Sequence, residues 1–162
     1  MKISTFLFII LISLCSPNLT KVREDYKQAF ASKEITLELN KELSEIDTND
    51  HKLLVAYKGA VLTLMAKHSK NTKEKKEYFK EGATLIDFAI DEQPKNVEMR
   101  CVRLGVQENA PKILKYRANK SEDKQMIMDH FDAIKSKEIK SYVRGFIVQS
   151  KSFTEEEKEL FK

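Results

Sequence analysis

DHKLLVAYKGAVLTLMAKHSKNTKEKKEYFKEGATLIDFAIDEQPKNVEMRCVRLGVQEN, residues 50–109, decides the fold of this 162-residue chain. It reads as three consecutive helices, Asp50–His68, Thr72–Glu92 and Asn96–Asn109. In the first, Leu53 to Ala66 is apolar almost all the way round, and only Lys58 and Thr63 interrupt it in mid-helix. A helix apolar on every side needs neighbours on more than one face, so this one is expected to be the most buried. Lys58 sits near its centre, and the run is too short and interrupted to span a bilayer. The second helix is amphipathic: Tyr78, Phe79, Gly82, Ala83, Ile86, Ala89 and Ile90 recur at i, i+3, i+4 spacing. Pro94 ends it.

Flanking segments extend the helical pattern. Val22–Ala31 carries Val22, Tyr26, Ala29 and Phe30 on one side. Ser32 is a natural cap for Glu34–Ile46, and the turn Asp47–Asp50 then leads into the central helix, with Asp50 as its expected cap. Beyond Pro111, further helices are predicted at Glu122–Ile134 and from Lys137 to about Ser150. Thr154-Glu155-Glu156-Glu157 spells a capping box for a final turn. No run alternates long enough to make a strand. The expectation is an all-α fold of seven or so helices, an antiparallel helix-hairpin bundle or a short helical array.

All four glycines, Gly59, Gly82, Gly105 and Gly145, fall inside predicted helices. Each costs about 1 kcal/mol relative to alanine there. Close backbone approach at helix crossings would offset that cost. The even spacing of the first three places their meeting near a common level.

The order Gly82-x3-Ile86-x2-Ala89-x4-Pro94 resembles the second helix of a tetratricopeptide repeat, where small and large residues alternate before a proline. Val55-x2-Lys58-Gly59-x2-Leu62 is similar to the first helix of that unit, with Lys58 where the family has leucine. The interval from Gly59 to Gly82 is about a dozen residues longer than in a standard repeat. Leu104-Gly105 repeats a piece, and Pro111 stops a regular partner helix from forming after it. This resemblance covers about a quarter of the chain. It implies a tetratricopeptide-like helical hairpin, a scaffold that holds a protein or peptide partner, and no catalytic residues. The whole chain also resembles small exported helical proteins, which implies no mechanism.

Residues 1–20 read as a signal peptide: Lys2, then the apolar run Phe6–Leu14, then the small residues around Ser16. The alternative is a short membrane anchor. Lipid attachment at Cys15 is disfavoured, because Leu14 stands where a lipid-modified cysteine wants a small residue. The mature part, residues 21–162, is expected to be one all-helical domain, exported to the periplasm or secreted. Membrane association would come only through an uncleaved leader or a lipid on Cys15. In the mature part Cys101 is the one cysteine, so no intramolecular disulfide is available. Its apolar neighbours Met99, Val102 and Leu104 make it a small buried hydrophobe.

The chain holds 29 basic and 25 acidic residues, an excess too small to suggest nucleic-acid binding. The basic cluster Lys67–Lys76 reads as a solvated turn. His51, His68 and His130 share no ligand spacing, so no metal and no cofactor are expected. No two glycines lie close enough for a phosphate loop. No catalytic residue is assigned. One polar constellation stands out: at about 100° per residue, Arg100, Arg103 and Gln107 share an arc of a helix whose flanks are apolar. Glu98 lies on a separate line of that helix. These side chains, with Lys58, are the binding candidates. They would present guanidinium forks to an anionic group. The competing expectation is that the arginines pair with Asp87, Glu81 or another carboxylate of a neighbouring helix.

Overall fold

The computed structural model describes residues 17–161. Among these are eight α-helices, one 3-10 turn and no strand, so the fold is all-α. The helices are α1 (Leu19–Ala29), α2 (Lys33–Glu42), α3 (Lys52–His68), α4 (Thr72–Glu92), α5 (Val97–Asn109), α6 (Lys120–His130), α7 (Lys137–Gln149) and α8 (Glu155–Glu159). The 3-10 turn is Lys112–Leu114. No described helix is long and apolar enough to cross a membrane. Most of the expected signal peptide, including Cys15, lies outside the described residues. Asn18 caps α1 by accepting from the Thr20 and Lys21 amides, so its loss would leave the helix start unsatisfied.

Local chemistry explains most helix ends. Asn71, Asn96 and Ser136 accept amides at the starts of α4, α5 and α7. The capping box at α8 is complete, with Thr154 and Glu157 each accepting from the other's backbone. Elsewhere the boundaries differ from the sequence reading. Asp50 does not cap α3; its carboxylate accepts the Asp47 amide at 2.7 Å and closes the preceding turn, leaving His51 at the cap without a side-chain bond. Helix α2 stops at Glu42 rather than Ile46. Lys58 donates to the Ser44 and Ile46 carbonyls at 2.8 and 2.5 Å, so a cation from α3 satisfies the groups that helix continuation would have used. Helix α6 starts at Lys120 and ends at His130, and Phe131 and Ile134 fall in the turns after it.

Helices α3 and α4 form a hairpin whose backbones touch at Gly59 and Gly82. A Cβ on Gly59 would lie 2.5 Å from the Gly82 carbonyl oxygen and 2.9 Å from Ile86. A Cβ on Gly82 would press in the same way on the Gly59 carbonyl and on Thr63. The expected third member is absent from this crossing. Gly105 faces the Phe146 ring at an ordinary distance, and Gly145 has open space beside it. Equal spacing in sequence does not carry over, because Gly105 faces Phe146 of α7 and not the α3–α4 hairpin.

Two hydrophobic clusters make the core. One gathers Val22, Leu39, Leu43, Tyr57, Val61, Ile86, Ile90 and the Met99–Val102–Val106 side of α5. The other gathers Ile127, Phe131, Val143, Ile147, Phe153 and the Val97–Cys101–Leu104 side. Helix α5 therefore lies between them. Ten of its thirteen residues are buried, against eleven of seventeen in α3, so α5 and not the all-apolar α3 is the more enclosed helix. The excess is polar: Glu98, Arg100, Arg103 and Gln107 are all inside. Cys101 is buried and reduced, and burial pushes its thiol well above the ordinary value.

Candidate functional site

Asp123 of α6 is fully buried and sits against both arginines of α5. Arg103 grips it as a fork, with Nε donating to Oδ2 at 2.8 Å and Nη2 to Oδ1 at 2.7 Å. The third nitrogen, Nη1, donates to Asp87 of α4 at 3.1 Å. Arg100 Nη1 donates to Asp123 at 2.9 Å and to Glu122 at 2.6 Å. Its Nε and Nη2 both donate to the Pro94 carbonyl, at 3.1 and 2.9 Å. Every guanidinium nitrogen of the pair already donates within the chain. The Arg103 fork and a single Arg100 nitrogen on one carboxylate lock α5 to α6, while the remaining nitrogens reach Asp87 of α4, Glu122 and the α4–α5 turn.

The electrostatics match this geometry. Burial pulls the Arg103 guanidinium down, but the hydrogen bonds and charges of Asp123 and then Asp87 outweigh it, so its pKa rises. Hydrogen bonds from Asn119 and then Arg100 hold Glu122 below the ordinary glutamate value. Burial, then the Asp87 charge, raises the Tyr116 phenol, which donates to Asp87 at 2.9 Å.

The other candidates are placed elsewhere. Glu98 faces α1 and α3, where Arg23 Nε and Nη2 donate to its two oxygens at 2.6 and 3.1 Å and the Tyr57 hydroxyl donates at 2.7 Å. Its hydrogen bonds raise the Arg23 guanidinium, while burial raises Tyr57 first and Tyr142 and Glu98 add to that. Gln107 shares the arc of the arginines but is fully enclosed, and neither amide atom has a partner among the described residues. Lys58 is engaged by the end of α2. Arg100 and Arg103 thus converge, and Glu98, Gln107 and Lys58 do not join them.

Of the carboxylates that the sequence offers as arginine partners, Asp87 is present. The decisive one, Asp123, is not singled out by sequence reasoning. It lies four residues before Ile127, in line with the buried stripe of α6, and an aspartate in that register is the signal that could have found it.

Two surface depressions border these elements. One, about 460 Å³, opens beside the start of α5, where Arg23 and Glu98 already neutralise each other. The other, about 310 Å³, runs along the outward face of α4 and is closed on its far side by Leu114 and Tyr116. Phe79, Ala83 and Thr84 line it, with Lys76 and Lys80 at its edge and Asp87 at one end. Among the described residues no three His, Cys, Asp or Glu side chains are grouped to hold a metal. No family model, no curated protein and no solved structure matches this chain.

Proposed function

We propose that this protein is an exported, non-catalytic helical module that holds a protein or peptide partner in the periplasm or outside the cell. The observation that carries this reading is the groove on α4: an outward helix face with an aromatic and aliphatic floor, bordered by two lysines. The backbone crossing of α3 and α4 at Gly59 and Gly82 supports treating that hairpin as tetratricopeptide-like, and such hairpins serve as rigid holders of partners. The alternative, a small-ligand or catalytic anion site around Lys58, Arg100 and Arg103, needs donors that face a ligand. Those donors are engaged inside the chain, which favours the scaffold reading.

The test is a photoreactive amino acid placed at Thr84, on the groove, in the protein made by its own cells. A second copy carries it at Gln125, on the exposed side of α6. A discrete cross-linked partner at Thr84 and none at Gln125 is the expected outcome. Equal labelling at both, or none at either, refutes the proposal.

A further inference from the structure

We infer that the α4 groove takes an acidic peptide segment bearing one large apolar side chain, an inference that rests on the partner-binding reading above. The floor is apolar and well held. Phe79 and Tyr116 meet edge to face, with ring centroids 5.7 Å apart and planes at 87°, and Ala83 and Leu114 complete the surface. Lys115 takes a left-handed turn at φ 53°, between the two residues that close the groove. A volume of about 310 Å³ suits one bulky side chain and its adjoining backbone. Ile113, the residue before Leu114 in the chain, is 86% exposed.

The charge around this floor has one sign to spare. Lys76 and Lys80 lie one turn apart on α4, both exposed and neither in an ion pair among the described residues. Lys73, a turn earlier, is partnered by Glu77 and adds nothing. Asp87 at the far end is already answered by Arg103 and Tyr116. A carboxylate-bearing segment therefore finds two open cations beside an apolar seat. A flat lipid surface or a long phosphate chain fits less well. Neither supplies an apolar side chain to the concavity between Phe79, Ala83 and Leu114. Exposed lysines act here as compact point charges that attract an anionic segment by sign and reach, and the apolar floor, by asking for a side-chain anchor, favours a peptide.

Random short peptides displayed on phage test this, selected in parallel on the wild-type protein purified from its own cells and on Ala83→Arg, which fills the floor. Melting curves establish that the variant is folded; should Ala83→Arg fail to fold, Thr84→Arg at the exposed rim replaces it. The expected result is a peptide set that depends on an open groove, is rich in Asp and Glu, and carries a shared aliphatic or aromatic residue. Lys76→Glu with Lys80→Glu should then raise the Kd of a selected peptide about tenfold at low salt. Groove-dependent peptides without acidic bias would overturn the inference and leave the partner-binding reading standing. An absence of groove-dependent peptides would overturn both. Sedimentation with phosphatidylglycerol vesicles that requires Lys76 and Lys80, with no peptide selected, would overturn the inference in favour of a lipid surface.

Discussion

Asp123→Ala should be among the most damaging single substitutions in this protein. The carboxylate is fully buried and receives three guanidinium hydrogen bonds, two from Arg103 and one from Arg100, at 2.7–2.9 Å. Removing one partner of a buried ion pair costs about 3–5 kcal/mol, because the remaining charge stays out of water without an answer. Here the lower end applies. Arg103 keeps Asp87, and Arg100 keeps the Pro94 carbonyl and Glu122. About 3 kcal/mol corresponds to a fall in melting temperature of roughly 10 °C for a chain of this size. Thermal and urea unfolding followed by far-ultraviolet circular dichroism measure it. The cycle with Arg103→Ala adds a second reading, since the double variant should lose clearly less than the two single losses added together. A loss for Asp123→Ala below about 0.5 kcal/mol, the size of an ordinary surface change, would refute the claim that this carboxylate holds α5 and α6 together.

The glycines give a graded set. Gly59→Ala and Gly82→Ala should each destabilise by about 1–3 kcal/mol and the leucine variants by more, through overpacking against backbone. Gly145→Ala, with nothing near its Cβ, should stabilise by up to about 1 kcal/mol; denaturant midpoints check the whole series. Thr154→Ala should cost about 1 kcal/mol by opening the capping box, read from the same curves. Glu122 and Glu157 both have folded pKa values below their ordinary 4.5, so each adds stability above that pH. That contribution is lost as pH falls through 4.5 and then through the folded values. Melting temperature scanned downward in pH should therefore fall over this window, and by less in Glu157→Gln.

The all-α class, the α3–α4 hairpin and the α8 capping box are legible in the sequence because each rests on local spacing. Periodicity of apolar residues separates helix from strand, and Thr154 and Glu157 lie within one turn of each other. The identity of the most enclosed helix is not legible. Hydrophobicity alone ranks α3 first, whereas α5 is buried because its charged side chains have partners at sequence distances of 16 to 75 residues. The same distance hides the role of the arginine stripe. Its arc can be read from positions 100, 103 and 107, but whether it faces solvent depends on Asp123 in α6. Lys58 shows the converse: a lone polar residue on an apolar helix marks a contact with the end of α2, which only the turn at residues 43–50 makes available. Lys76 reads as part of a solvated turn, because the floor it borders is completed by Leu114 and Tyr116 from beyond α5.

One measurement bears on the central claim that the α5 arginines form the frame and the α4 groove does the binding: melting temperature and cross-linking yield at Thr84, taken together on two variants. Lys76→Glu with Lys80→Glu should keep the wild-type melting temperature and lose the cross-linked partner. Asp123→Ala should melt roughly 10 °C lower and still cross-link at temperatures where it remains folded. The opposite pattern, partner loss with unchanged melting in Asp123→Ala and full cross-linking in the lysine variant, would contradict the account.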